Sequence, residues 1–253
     1  MIEREQLLFY INNLLEIDNF RDYCPNGLQV EGKTQIKKLV SGVTACQALI
    51  EQAIALDADA LLVHHGYFWK NEAYPITGLK KRRIAALLGH DINLLAYHLP
   101  LDAHPEYGNN ACLGKLLQKT FNIETTGVLE AEPLVCLGAA ESAIKPAYFT
   151  QQLETLLQRA PLHLSGGKQG FQKLAWCSGG AQGFMETVAQ TGVDVYISGE
   201  VSEQTLHLAR EYGVDYIAAG HHATERYGVQ ALGAHLAEKF ELEHQFIEIN
   251  NPV

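Results

Sequence analysis

Short, continuously apolar runs alternate along the chain with stretches whose apolar residues recur at helical spacing. Residues 38–43, 60–63 and 92–97 read as strands, too short for helices and apolar almost throughout, as strands covered on both faces are. Residues 45–56, 80–88 and 110–119 carry the helical period, with Leu49, Ile50, Ala53 and Ile54 on one stripe of the first. The second half repeats the scheme. Residues 173–177, 193–197, 214–218 and 244–249 read as strands, and 181–190, 202–210 and a stretch ending near Phe240 as helices. This alternation predicts an α/β fold with a largely parallel sheet.

The halves also correspond in detail. Ser41-Gly42-Val43-Thr44-Ala45 and Ser178-Gly179-Gly180-Ala181-Gln182 each turn a strand into a helix. The next strand runs into His64-His65 in one half and into Gly199-Glu200 in the other. The strand after that ends in His98-Leu99-Pro100-Leu101-Asp102 or in His221-His222-Ala223-Thr224-Glu225, so His-x-x-x-Asp answers His-x-x-x-Glu. Two similar α/β lobes are expected, residues 1–128 and 129–253, with the border at Leu129-Glu130-Ala131-Glu132-Pro133 and the last strand able to pack with the first lobe.

Composition narrows the function classes. The chain has 253 residues, 47% hydrophobic and 19% charged, with 19 basic against 29 acidic residues and a net charge of −10. That balance opposes a general grip on nucleic-acid phosphates. No apolar run approaches the ~20 residues that span a bilayer, and residues 1–6 lack the pattern of a secretory signal. Five cysteines without a C-x-x-C pair oppose both a disulfide framework and a thiolate zinc site. A cytoplasmic protein with reduced thiols is expected.

The candidate chemistry lies at strand ends, which open into the ligand crevice of α/β sheets. His64 and His65 close an apolar strand; successive side chains point to opposite sides, so the pair suits two adjacent ions better than one. The alternative is a pair of hydrogen-bonded histidines. Asp102 follows Pro100, which predicts a stiff, exposed loop where the carboxylate binds an ion or caps a turn. His221 and Glu225, four apart on a helix, share a face; His222 and Glu225, three apart, are an equally allowed pair. Imidazoles and carboxylates delivered together match hydrolytic sites in which a carboxylate bridges two ions roughly 3.5–4 Å apart. The N/O donor set suits Zn, Mn, Fe, Ni or Co. His98 and Glu200 are the candidates for proton transfer. The Ser178–Gly183 stretch reads as a tight turn or, less strongly, a phosphate cradle. His90, His163, His235 and His244 read as ordinary surface or core residues.

Four motifs carry a resemblance: Asp22-Tyr23-Cys24-Pro25-Asn26-Gly27-Leu28-Gln29-Val30, Val63-His64-His65-Gly66, His98-Leu99-Pro100-Leu101-Asp102 and Gly220-His221-His222-Ala223-Thr224-Glu225-Arg226. Together they resemble the GTP cyclohydrolase 1 type 2 homolog, or Nif-three-like, family, and most of all its short bacterial YbgI-type members. The resemblance implies two similar, intertwined α/β/α lobes with a dinuclear metal site between them, often assembled as a toroidal hexamer. It implies one metal on His64 and His221, another on His65 and Asp102, and Glu225 bridging both, with His98 beside them. It also places the Pro25-Asn26-Gly27 turn near the cleft. Where many relatives place a histidine soon after the pair matching Gly199-Glu200, this chain has Ser202-Glu203-Gln204, and the nearest is His207. The expected function is metal-dependent hydrolysis of a nucleotide-like or other small polar substrate. The rivals are a non-catalytic metal-binding or partner-binding scaffold and a metal- or cofactor-assembly protein.

Overall fold

Alternate residues of the central apolar strands enter different cores, which is why those strands are apolar on both faces. A computed structural model describes residues 1–253. In chain order its elements are β1 (Ile2–Glu3), α1 (Arg4–Leu14), β2 (Gly27–Val30), β3 (Gln35–Ile36), β4 (Lys38–Thr44), α2 (Gln47–Ala55), β5 (Ala60–His65), α3 (Gly78–Gly89), β6 (Asn93–Ala96) and α4 (Leu99–Ala103). There follow α5 (Asn109–Phe121), β7 (Ile123–Leu129), β8 (Glu132–Ile144), α6 (Pro146–Leu157), β9 (Leu162–Leu164), β10 (Phe171–Cys177), α7 (Met185–Ala189), β11 (Val195–Ser198), α8 (Thr205–Tyr212), β12 (Asp215–Ala218), α9 (His221–Phe240) and β13 (Glu243–Phe246). The chain divides into two compact units: Met1–Gly108 with Gly228–Asn250, and Asn109–Tyr227 with Asn251–Val253.

The first unit holds the sheet β13-β4-β5-β6-β2. Its first four strands are parallel and β2 is antiparallel at the edge. On β5, Ala60 and Leu62 face a core shared with Leu7 and Ile11 of α1 and with Val229, Leu232 and Leu236 of α9. Leu61 and Val63 face a second core with Leu49, Ile50 and Ala53 of α2 and Ile84 and Leu87 of α3. The result is a three-layer α/β/α unit.

The second unit holds β7-β8-β10-β11-β12-β9. β10, β11 and β12 are parallel, and the flanking strands are antiparallel. Leu174, Trp176, Val195 and Ile197 pack with Leu113 and Leu117 of α5 and Phe149 and Leu153 of α6. Ala175, Tyr196 and Tyr216 pack with Met185 and Val188 of α7 and Ala209 of α8.

The structure adds elements and corrects others. Helix α1, the β7–β8 hairpin and α6 were not expected from the pattern, and the sheets are parallel only in their middles. The expected helix over 181–190 is a 3-10 turn, Gln182–Phe184, followed by the short α7. The exposed loop expected at Pro100 is instead the helix α4, with Pro100, Leu101 and Asp102 buried. Pro100 sits in the first helical turn, where its missing N–H leaves no bond unmade. Leu101 is fully buried in the first core and carries Asp102 inward with it. All five cysteines are free, and no helix is long and apolar enough to cross a membrane.

Candidate metal centre

In the first unit, β5 delivers His64 and His65 and α4 delivers Asp102. The His64 ring is buried, with Nδ1 3.0 Å from the Tyr97 carbonyl oxygen and Nε2 3.5 Å from Asp102 Oδ1. His65 Nδ1 lies 3.2 Å from Thr44 Oγ1 on the neighbouring strand. The two rings stand 4.6 Å apart between centroids, and one nitrogen each of His64, His65 and His98 lie within 4.8 Å of one another. The consecutive histidines thus converge, because His65 is the last strand residue and Thr44 ties its ring.

The Asp22–Val30 motif braces this corner. Gln29 accepts the Tyr67 amide at 2.6 Å and donates to the Pro25 carbonyl at 2.8 Å. A Cβ on Gly66 would overlap Gln29 Oε1, so only glycine lets the chain leave His65 along this path. Asp22 Oδ1 meets His98 Nδ1 at 2.7 Å, while Oδ2 accepts the Leu99 amide and Asn26 Nδ2, each at 2.9 Å. Asn26 Oδ1 accepts the His98 amide. Burial works to raise the Asp22 pKa, but hydrogen bonds from His98 and Asn26 outweigh it and hold the carboxyl at about 2. Burial, with Asp22 adding to it, pushes the Cys24 thiol up to about 12.

In the second unit, His221 and Glu225 form the i,i+4 pair, His221 Nε2 to Glu225 Oε2 at 3.0 Å. Glu200 takes the other nitrogen, Oε1 to His221 Nδ1 at 2.7 Å, and accepts from Gln182 Nε2 at 3.1 Å. Burial lowers the His221 pKa, yet Glu225 and Glu200 overcome this and raise it to about 9. The pair of carboxylates is a place that draws a cation. Gly179 has φ +62°, and a Cβ there would overlap Glu225 Oε1, so glycine lets the carboxylate lie against the turn. The amides of Ser178, Gly179 and Ala181 donate to Asn110 Oδ1, Thr224 Oγ1 and Ser198 Oγ. With those donors engaged, the stretch is a tight turn rather than a phosphate cradle.

Each unit therefore presents imidazole nitrogens whose other ring nitrogen is already hydrogen-bonded, beside buried carboxylates. That donor set fits a divalent transition metal. The other histidines are engaged elsewhere: His163 with Asp215 at 2.7 Å, His235 with Tyr10 at 2.6 Å, His244 with Ser41 at 2.9 Å and His90 with the Ala86 carbonyl at 2.9 Å. His207 pairs with Glu203 at an exposed position. Sequence reasoning placed Asp22 in a motif and Thr44 and Gly179 in strand-to-helix turns but assigned none of them a part in the site. For Asp22 a signal existed, a carboxylate four residues before an Asn-Gly turn; for Thr44 only the strand register reveals it.

The chain is similar to known proteins over almost its whole length. The profile of the family described as Duf34/NIF3 (NGG1p interacting factor 3) matches residues 2–252. A protein of Allochromatium vinosum called "GTP cyclohydrolase 1 type 2 homolog" is 52% identical over 252 residues, covering 100% of this chain and 98% of its own length. One of the same name from Haemophilus influenzae is 50% identical over 254 residues, covering 99% of this chain and 98% of its own. Among solved structures, the protein ybgI, described as of unknown function, aligns with a TM-score of 0.95 at 48% identity, covering 100% of both chains.

Proposed function

The chain belongs to the Duf34/NIF3 family, and on that footing we propose a metal-dependent hydrolase with two divalent transition-metal ions, acting on a nucleotide-like or other small polar substrate. The proposed ligands are His64, His65 and Asp102 from the first unit and His221 and Glu225 from the second, with Glu225 the bridging carboxylate. One observation carries the reading: Nδ1 of His64, His65 and His221 is held by Tyr97, Thr44 and Glu200 respectively, the backing that metal-bound imidazoles have, while Nε2 of His64 and of His221 lies 3.5 and 3.0 Å from the carboxylates of Asp102 and Glu225. When bound, such ions supply Lewis acidity and bring the pKa of a water towards neutrality.

The chain's own residues do the rest. Glu200, engaged by both His221 and Gln182, orients the His221 ring; we assign it that role in place of proton transfer. His98, whose ring lies 5.1 Å from that of His64 and 5.7 Å from that of His65, is the proposed proton-transfer group. The corresponding order of four strands, β4-β5-β6-β2 in one unit and β10-β11-β12-β9 in the other, supports reading the units as copies of one ancestral lobe. A cytoplasmic homo-oligomer, ring-shaped by resemblance, completes the proposal.

Metal analysis of protein purified without a histidine tag, followed by a screen of nucleotides and phosphoesters with Mn, Zn and Fe, tests it. Stoichiometric metal and turnover are expected, with turnover abolished in Glu225→Gln and Asp102→Asn while assembly is unchanged. If metal is stoichiometric and every substrate inert, the hydrolase reading falls and the scaffold or metal-delivery reading replaces it.

A further inference from the structure

His98 has the environment of a metal ligand. Its Nδ1 lies 2.7 Å from Asp22 Oδ1, and the Asp22 side chain is only 3% exposed. A ring nitrogen at that distance from an ionised carboxylate is the donor, so the nitrogen left with its lone pair is Nε2. A carboxylate behind the remote nitrogen is the recurring support of a metal-bound histidine, since it fixes the tautomer and raises the basicity of the ligating atom. Glu200 stands to His221 in the same relation, also at 2.7 Å.

A carboxylate–histidine pair is insufficient by itself. His163 and Asp215 make one at 2.7 Å, but His163 joins no cluster of possible ligands. His98 does: a nitrogen of its ring and one from each of His64 and His65 lie within 4.8 Å of one another. Its ring is further fenced by Trp69, 5.0 Å away and edge-on. The backbone leaves it little play, because Asn26 Oδ1 accepts the His98 amide at 2.8 Å and Asp22 Oδ2 accepts the Leu99 amide at 2.9 Å.

A competing grouping, Asp22 with Cys24 and His98, also lies within 4.8 Å, but its donors are committed. Asp22 already accepts from the Tyr23 amide, Asn26, the Leu99 amide and His98, and burial with Asp22 nearby keeps the Cys24 thiol protonated.

We propose that His98 Nε2 is an additional, exchangeable donor to an ion bound at His64 and His65, with Asp22 the residue that positions it. This rests on the metal reading above and refines the role of His98. An ion held there would draw on this nitrogen to complete its ligand set, and when not ligating the same nitrogen would be the proton acceptor proposed above.

Zinc titration of metal-free protein against a chromophoric chelator, together with cobalt(II) absorption spectra, tests the donor. His98→Gln is expected to weaken the tighter zinc site about 10–100-fold, and Asp22→Asn about 10-fold, with His98→Gln also altering the cobalt d–d bands. His65→Gln, a ligand control, is expected to lose more. Wild-type affinity and an unchanged cobalt spectrum in His98→Gln, with binding lost in His65→Gln, overturns this inference and leaves the centre standing. Wild-type behaviour in both variants overturns the centre and this donor with it. Nitrogen-15 NMR of the unmutated protein supplies a readout independent of variant folding: His98 Nε2 shifts on addition of zinc if it ligates, and an unmoved resonance overturns the inference.

Discussion

In the first unit, Asp59 accepts the amides of Lys37 and Lys38 and the ammonium of Lys33; in the second, Asp194 accepts the amides of Gln172 and Lys173 and the ammonium of Lys168. A second node repeats with a change of chemistry. Asn93 accepts the Gly32 amide and donates to the carbonyls of Lys33 and Asp59, whereas Asp215 accepts the amides of Gly166 and Lys168 and binds His163. These nodes lie at the amino ends of the strands. At the carboxyl ends the units differ: β5 ends in His64-His65, while β11 ends at Ser198 and is followed by Gly199-Glu200. The amino-end polar residues satisfy fixed backbone valences and so recur. At the carboxyl ends no such shared backbone role holds the residue type fixed, and one unit places its imidazoles on a strand, the other on a helix.

The comparison breaks most readily at the second node. Asn93 and Asp215 are both fully buried, but only Asn93 donates. Asn93→Asp should destabilise the protein by about 3 kcal/mol or more, since it sets a carboxylate against two carbonyls, while Asp215→Asn keeps an acceptor and should cost about 1 kcal/mol. Urea melts decide, and equal losses would mean that the two nodes are not chemically distinct. Next in size, Gly179→Ala should displace Glu225 and weaken zinc binding about 10–100-fold. Gly183→Ala, which meets nothing within 4 Å, should leave binding as it was; calorimetric titration of both variants checks this.

Asp59→Ala and Asp194→Ala should each cost about 1–2 kcal/mol, by stranding two partly exposed amides. Similar losses in both variants would sharpen the correspondence, and a loss in one alone would dissolve it. The smallest effect separates the edges of the sheets. β4 is flanked by the parallel β13, which carries His244, whereas β10 is flanked by the antiparallel β8. Burial lowers the His244 pKa below its ordinary 6.5. Above pH 6.5 folded and unfolded forms are both neutral. As pH falls through 6.5 the unfolded chain takes the proton first, so stability is lost until the folded pKa is reached. Hydrogen exchange between pH 7 and 5 should show β13 loosening, and His244→Gln should flatten that dependence.

Much of the fold was legible because periodicity is local. The strands around Val40, Leu62 and Leu95 and those around Ala175, Ile197 and Ile217 were readable from runs of apolar residues, as was the α9 helix. Helix α1 escaped because Arg4, Glu5 and Gln6 open it on polar residues, and α4 because Pro100 reads as a breaker until its place in the first turn is known. Of the candidate site, His64, His65, His221 and Glu225 stood out by pairing and spacing. That His221 meets Glu225 is a contact only the folded helix shows.

From the amino-acid order alone came the layered α/β class and the gathering of His64, His65, His98 and His221 where strands end, since side-chain periodicity and residue pairing are properties of neighbouring residues. Tertiary structure alone decided that Asp102 is buried, that Asp22 meets His98 across 76 positions, that Gly179 yields space to Glu225, and that the α9 residues from Gly228 on, in addition to the last strand the sequence allowed there, fold with Met1–Gly108. Those outcomes depend on groups far apart in the chain competing for the same hydrogen bonds and the same space, and no local pattern records which of them meet.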